Sequence, residues 1–123
     1  MAVLSKVAIL GASDNPDRSS NMLVKRLHLK GHEVFPVHPT LTSLDGLHVY
    51  PNIEALPKGI DILSVYLGPE RSTSLAASLE ACGIPKIIFN PGAENPELEI
   101  RLQAKGIKVE EACSLVLSGL DQL

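Results

Sequence analysis

The stretch "ILGASDNPDRSS", residues 9–20, points most directly to the fold. An apolar run stops at Gly11, small and polar residues follow, and a segment with helical periodicity begins near Ser20. Small residues let a ligand approach the backbone, and the start of a helix offers free N–H groups with partial positive charge. Arg18 adds a full charge that suits phosphate. The stretch therefore predicts an anion-binding loop, although an ordinary capping loop with a solvated Arg18 would have the same residues.

The same stretch departs from the fingerprint of dinucleotide-binding proteins. The G-x-G-x-x-G spacing fails because Ser13 and Pro16 stand where glycines belong. The second predicted strand ends VFPVHP at residues 34–39, so it lacks the carboxylate that would hold a ribose hydroxyl. These departures disfavour NAD(P), but a nucleotide-dependent enzyme stays open as an alternative.

Strand-like and helix-like segments alternate along the whole chain. Glycines suited to helix ends precede the later strands, and the nearly unbroken apolar strands are typical of a parallel sheet buried on both faces. The predicted strands are Lys6–Leu10, Val34–Val37, Ile62–Leu67, Lys86–Phe89 and Ile107–Val109. The predicted helices are Ser20–Lys30, Arg71–Cys82, one that starts at Asn95–Pro96, and Ala112–Leu117. The alternation predicts one α/β domain over residues 1–123, a Rossmann-like, doubly wound, mainly parallel five-stranded sheet with helices on both faces.

Length and composition exclude several classes of protein. The chain has 123 residues, 45% of them hydrophobic, and a net charge of −3 without a Lys/Arg run, which disfavours nucleic-acid binding. Its apolar runs are too short to cross a bilayer and its two cysteines form no disulfide framework, so we expect a cytoplasmic protein without membrane contact. Scattered histidines and cysteines predict no metal site, and missing P-loop and nucleophile motifs predict no catalytic residues.

Ligands of doubly wound sheets bind beyond the carboxyl ends of the strands, so residues in those loops are candidates. His38 either faces a phosphate or is a plain loop histidine, and Tyr66 either forms a wall for a flat ring or belongs to the core. Asn90, in an Asn-Pro-Gly turn, is expected to offer a donor and an acceptor at the crevice. Arg71, at the start of a predicted helix, is a weaker candidate for a functional or interface role, and Cys113, at the start of the last predicted helix, is a weaker candidate for a reactive thiol.

Four motifs occur together in an arrangement that resembles a known family. They are VAILGAS at residues 7–13, N-P-x-R at residues 15–18, GHEV at residues 31–34 and PVHP at residues 36–39. The combination resembles the stand-alone CoA-binding domain family, which is similar to the N-terminal CoA-binding domain of the succinyl-CoA synthetase alpha subunit. The resemblance spans nearly the whole chain and implies a Rossmann-type fold that binds CoA or acyl-CoA. This chain has Thr40 after Pro39, where many relatives carry a lysine.

The resemblance also implies which residues bind the ligand. It assigns the phosphates to the first loop, with Gly11, Ala12, Ser13, Asn15, Arg18 and Ser20, and the adenine or 3′-phosphate to the end of the second strand, with Val37, His38 and Pro39. The end of the third strand, with Tyr66, Leu67 and Pro69, would contact the adenine or pantetheine. The end of the fourth strand, with Phe89, Asn90 and Pro91, would close the site.

The implied function is binding rather than catalysis. The full synthetase also needs a second domain with a phosphorylated histidine and a further subunit, and neither fits in 123 residues. We expect a CoA-binding or acyl-CoA-binding protein without catalytic residues or a metal ion, whose partner is a small-molecule nucleotide. The fold also allows a homodimer. An NAD(P)- or other nucleotide-dependent enzyme and a protein-interaction subunit are the alternatives.

Overall fold

Strands and helices alternate along residues 4–123, the part of the chain that this computed structural model describes. The strands are β1 (Lys6–Leu10), β2 (Glu33–Val37), β3 (Ser43–Leu44), β4 (Leu47–His48), β5 (Ile62–Val65), β6 (Lys86–Phe89) and β7 (Lys108–Glu111). The helices are α1 (Ser19–Leu29), α2 (Pro69–Ser74), α3 (Ala76–Ala81), α4 (Pro96–Ala104) and α5 (Ser114–Gly119), and a 3₁₀ turn spans Ile53–Ala55.

Five strands form one parallel sheet in the order β2-β1-β5-β6-β7. The chain runs from β1 outward to β2 and then returns across β1 to β5, so the strand order reverses between β1 and β5. In doubly wound sheets, ligands bind at such a reversal. The predicted Rossmann-like fold with a five-stranded parallel sheet is confirmed.

Alternating side chains build a hydrophobic core on each face of the sheet. Val7 and Ile9 of β1 pack in one cluster with Leu23 of α1, while Ala8 belongs to the other cluster with Leu79 of α3. All of these side chains are buried. A strand that is buried on both faces carries apolar side chains at successive positions instead of alternating apolar and polar ones. This explains the unbroken apolar run of β1.

The predicted helix Arg71–Cys82 is wrong in one respect, because two short helices stand in its place. A tight turn at Leu75 separates α2 from α3. The Leu75 N–H donates to Ser72 O, three residues back, and the Ser74 hydroxyl donates to Arg71 O at 2.6 Å. Serine hydroxyls that bond to helix carbonyls tend to bend helices, which accounts for the break.

The segment between β2 and β5 contains a hairpin that the sequence prediction lacks. β3 and β4 pair antiparallel around Asp45 and Gly46, which have φ values of 51° and 76°. Asp-Gly is among the strongest sequence signals for such a two-residue turn, so the hairpin was readable from the sequence. β5 ends at Val65 rather than at the predicted Leu67. The boundaries of the other predicted elements lie within two residues of those observed.

Candidate functional site

The carboxyl ends of four parallel strands lie side by side. Leu10 pairs with Val37 of β2 and with Val65 of β5, and Val65 pairs with Phe89 of β6. The loops that leave these strands therefore start at one level, and they enclose a cleft of about 720 Å³. A volume of this size is typical of sites for small organic ligands and cofactors. The cleft is lined by Gly11, Ala12, Ser13, Asp17, Arg18, Ser19, Ser20, His38, Pro39, Tyr66, Leu67, Arg71, Asn90, Pro91, Gly92 and Cys113.

The first loop leaves β1 through a turn that requires glycine. Gly11 has a φ of 90°, and a Cβ atom there would lie 3.0 Å from Leu67 Cδ2 and 3.3 Å from the Tyr66 carbonyl carbon. The Ala12 N–H donates to Val37 O at 3.2 Å, which ties the loop to β2. The single glycine of this loop therefore allows close packing against the loop that follows β5.

Short polar side chains hold the rest of the first loop in one shape. The Asn15 N–H donates to Ser13 Oγ at 3.0 Å, and the Asp17 N–H donates to Asn15 Oδ1 at 3.0 Å. Asn21, a buried residue of α1, donates from Nδ2 to Ser13 O at 2.8 Å. The sequence prediction missed this role of Asn21, although a polar residue next to the apolar stripe of a helix is a signal for such a contact.

The beginning of α1 is open to an anion. The helix has no side-chain cap and no acidic residue in its first turn, and the N–H groups of Ser19, Ser20 and Asn21 meet no acceptor among the described residues. Arg18, just before the helix, is exposed, and its guanidinium forms no ion pair with a described carboxylate. Free N–H groups beside an unpaired arginine suit a phosphate. The geometry thus favours the anion-binding interpretation of the first loop.

His38 supplies a hydrogen-bond donor through a ring that the backbone orients. Its Nδ1 accepts the N–H groups of Thr40 at 3.1 Å and of Leu41 at 3.0 Å. Because an accepting ring nitrogen carries no proton, the N–H donor of the ring is Nε2. His38 lines the cleft, so this ring can offer a donor to a ligand.

Asn90 uses its amide inside the protein, which corrects the expectation that the amide is free at the crevice. Nδ2 donates to Ser64 Oγ at 2.8 Å and to Val65 O at 2.9 Å, and Oδ1 accepts the Ser114 N–H at 2.8 Å. The hydroxyl oxygens of Ser64 and Ser114 are 2.7 Å apart, and all three polar side chains are buried. The network joins β5, β6 and the first turn of α5, so Asn90 holds the wall of the cleft in place.

Tyr66 is both a packing residue and a wall of the cleft. Its ring packs against the cluster under α1 and α5, and its hydroxyl oxygen is buried without a hydrogen-bond partner among the described residues. Burial, followed by the charge of a Cys113 thiolate, raises the pKa of Tyr66 to about 12, although the nearby hydroxyls of Ser64 and Ser114 act to lower it. The phenol is therefore neutral near pH 7. The two expectations for this residue, core and wall, are compatible.

Sequence comparison places the chain in a family. Residues 5–119 match the model of the CoA binding domain family. The chain belongs to the CoA-binding domain family. The uncharacterized protein YneT of Bacillus subtilis is 30% identical over 101 residues, which cover 82% of this chain and 75% of that protein.

Solved structures share the fold of this CoA-binding domain. A conserved hypothetical protein from Pyrococcus furiosus is 32% identical, with a TM-score of 0.84 over 92% of this chain and 98% of that chain. A dinucleotide-forming acetyl-coenzyme A synthetase 1 from Ca. Korarchaeum cryptofilum, in complex with phosphate and ADP, is 24% identical with a TM-score of 0.71. That match covers 85% of this chain and 25% of the synthetase chain, and it shows a shared fold alone.

Most of the residues predicted to bind the ligand line the cleft of this CoA-binding domain, although their contacts with a ligand stay predictions. Asn15 is exposed on the first loop and Pro69 is exposed at the start of α2, and neither lines the cleft. Val37 and Phe89 are buried in the core below it. The predicted residues that line the cleft are Gly11, Ala12, Ser13, Arg18, Ser20, His38, Pro39, Tyr66, Leu67, Asn90 and Pro91.

Five lining residues are absent from the predicted binding set, although the sequence analysis named two of them, Arg71 and Cys113, as weaker candidates for other roles. Most are close neighbours of predicted residues, so their position along the chain was the available signal. Cys113 differs because it follows β7, a strand end to which no ligand contact was assigned. Glu111 of β7 pairs with Phe89 of β6, so this end lies in the same row as the others. The five residues are Asp17, Ser19, Arg71, Gly92 and Cys113.

Within residues 4–123, no group of three or more His, Cys, Asp and Glu side chains could hold a metal ion. None of the helices in this part of the chain is long and apolar enough to cross a membrane. Cys82 and Cys113 are free thiols, and both are half-buried.

Proposed function

We propose that this protein binds CoA or acyl-CoA in the strand-end cleft and catalyses no reaction by itself. The observation that carries the proposal is the uncapped start of α1 beside Arg18, at the reversal of strand order, in a member of the CoA-binding domain family. CoA consists of a diphosphate, an adenosine with a 3′-phosphate, and an uncharged pantetheine arm that ends in a thiol. The cleft offers suitable partners for these parts.

The diphosphate fits the beginning of α1. The N–H groups of Ser19 and Ser20 are free to donate to it, and the partial positive charge of the helix start favours an anion. The Arg18 guanidinium adds two parallel donors and a full charge. Gly11 and Ala12 leave room for the phosphates because neither has a side chain beyond Cβ.

The remaining parts of the ligand fit the other walls. Tyr66 and Leu67 offer an apolar surface that suits the adenine ring or the pantetheine arm, and the His38 ring offers an N–H donor. The name of one solved neighbour, an acetyl-coenzyme A synthetase, agrees with a CoA ligand for this fold.

The lining side chains favour binding without turnover. His38 Nδ1 already accepts two backbone N–H groups, so it is not free to take a proton from a nucleophile. Among the described residues, Cys113 makes no hydrogen bond to a basic side chain. A nucleophile paired with a base, the arrangement that covalent catalysis requires, is therefore not found among the lining residues that the structure describes.

Calorimetric titration with CoA and acetyl-CoA tests the binding proposal. We expect saturable binding by the wild type, and a roughly 10- to 100-fold weaker affinity for Arg18→Gln because a charged hydrogen bond contributes about 1.5–3 kcal/mol. Lys25→Gln is the matched control, since Lys25 is an exposed cation of the same helix that does not line the cleft. Its affinity should stay within about 2-fold of wild type, since a distant surface charge is screened.

Several outcomes would contradict the proposal. No heat with either ligand at millimolar concentration would exclude CoA binding. Thermal stabilisation by NAD(H) with CoA inert would favour an oxidoreductase, and a stable oligomer whose cleft binds no nucleotide would favour an interaction subunit. If mass spectrometry showed that the protein alone converts acetyl-CoA to a product, the proposal that it catalyses no reaction by itself would be refuted.

A further inference from the structure

Two arginines line the cleft from different loops. Arg18 follows β1 and immediately precedes α1, whereas Arg71 follows β5 and lies within α2. β1 and β5 are neighbours at the reversal of strand order, so both arginines follow strands that border this reversal, and both line the cleft. Among the described lining residues, they are the only permanent positive charges, and Asp17 is the only carboxylate.

Arg71 has no ionic partner among residues 4–123. No described carboxylate oxygen lies within 4.0 Å of its guanidinium, whereas Lys30, Lys86, Arg101 and Lys105 each pair with an acid. The Arg71 residue is exposed and lines the cleft. Its charge and its planar set of donors are therefore available to a ligand.

The backbone that carries Arg71 is held firmly. The buried Asn95 donates from Nδ2 to Pro69 O at 3.1 Å and to Ser72 Oγ at 2.9 Å. The Ser74 hydroxyl donates to Arg71 O at 2.6 Å. Because this turn is already ordered, Arg71 loses only side-chain freedom when it binds an anion, which lowers the entropic cost of the contact.

CoA carries two separate anionic groups, the diphosphate and the 3′-phosphate. Apart from Arg18 and Arg71, no described residue that lines the cleft has a permanent positive charge. The diphosphate of CoA is assigned above to the start of α1 and Arg18, which leaves the ribose 3′-phosphate without a charged partner. The loop after β2 contributes His38, whose Nδ1 already accepts two backbone N–H groups, and the loop after β6 contributes Pro91 and Gly92. We propose that Arg71 binds the 3′-phosphate and makes the site selective for CoA over dephospho-CoA, an assignment that rests on the proposed function.

Calorimetric affinities for CoA and dephospho-CoA distinguish this role from a general contribution to binding. Arg71→Gln is expected to weaken CoA about 10-fold and dephospho-CoA less than about 2-fold, because only CoA loses a charged contact. Arg18→Gln is expected to weaken both ligands by the same factor, since both carry the diphosphate. Arg71→Lys keeps the charge without the planar fork, so it should retain part of the selectivity.

Equal weakening of both ligands by Arg71→Gln would place the arginine at the diphosphate and overturn the assignment, as would unchanged affinity for both. Loss of selectivity in His38→Gln but not in Arg71→Gln would assign the 3′-phosphate to His38 instead. A wild type that binds neither ligand would refute the proposed function itself, whereas CoA binding with unaltered selectivity in Arg71→Gln refutes only the role of Arg71. Thermal unfolding without ligand controls for folding, and Arg71→Gln should unfold like wild type because Arg71 is exposed and pairs with no described carboxylate.

Discussion

Replacement of Asn90 by alanine separates an interior role of this side chain from a ligand-binding one. The residue is 1% exposed, and its amide makes three hydrogen bonds that span β5, β6 and α5. The substitution leaves the buried Ser114 N–H without its acceptor. Val65 O keeps a partner, because the Asn90 backbone N–H also donates to it at 3.2 Å. The Ser64 hydroxyl keeps its contact with Ser114.

The expected loss in the free energy of unfolding is the sum of the contributions of these lost hydrogen bonds. One buried donor left without a partner costs about 1–3 kcal/mol, and each of the two other hydrogen bonds contributes about 0.5–1 kcal/mol. Asn90→Ala should therefore lower the free energy of unfolding by roughly 2–5 kcal/mol, from a total that is typically about 5–15 kcal/mol. At roughly 3 °C or more per kcal/mol for a domain of this size, Tm should fall by at least about 6 °C.

Urea unfolding monitored by circular dichroism measures the loss. Asn15→Ala is the matched control, because Asn15 is exposed and its side chain accepts one loop hydrogen bond, so it should lose no more than about 1 kcal/mol. An Asn90→Ala variant that unfolds at the wild-type urea midpoint, yet binds CoA 10-fold more weakly, would refute the interior role and show that the amide serves the ligand.

Two further predictions concern the turn after β1 and the buried phenol. Gly11→Ala should lower the unfolding free energy by roughly 2–4 kcal/mol through positive-φ strain and crowding against Leu67. Gly92→Ala, at a φ of 91° with no atom within 4 Å of the new Cβ, should lose only the strain, about 1–2 kcal/mol, and equal losses would exclude crowding. Tyr66→Phe should leave stability at pH 7 unchanged or raised, since the hydroxyl has no described partner. Because burial raises the pKa of Tyr66 to about 12 in the folded state, the wild type should lose stability as the pH rises from 10 to 12, and Tyr66→Phe should lose less. Urea midpoints measured at pH 8 and 11 test this, and an equal decline in both proteins would contradict it.

The sheet was predictable because its signals are local. Buried parallel strands are apolar throughout, and the helices between them end at glycines, so each element can be recognised from about ten neighbouring residues. The hairpin around Asp45 and Gly46 carried an equally local signal that the prediction did not use. The turn at Leu75 was less accessible, because it depends on whether the Ser74 hydroxyl bonds to a helix carbonyl or to water.

The order of residues along the chain is enough to predict a small-residue loop with Arg18 after a buried strand, and polar residues after the other strands. Which of these groups are available to a ligand depends on contacts between distant parts of the chain. The Asn90 amide forms hydrogen bonds with Ser64 and Ser114, which are 26 and 24 residues away in the sequence, so its polar atoms already have partners inside the protein. Arg71 finds no carboxylate among the described residues and stays free at the cleft. Strand register and helix packing bring distant residues together, and these contacts determine whether a polar group finds a hydrogen-bond partner inside the protein.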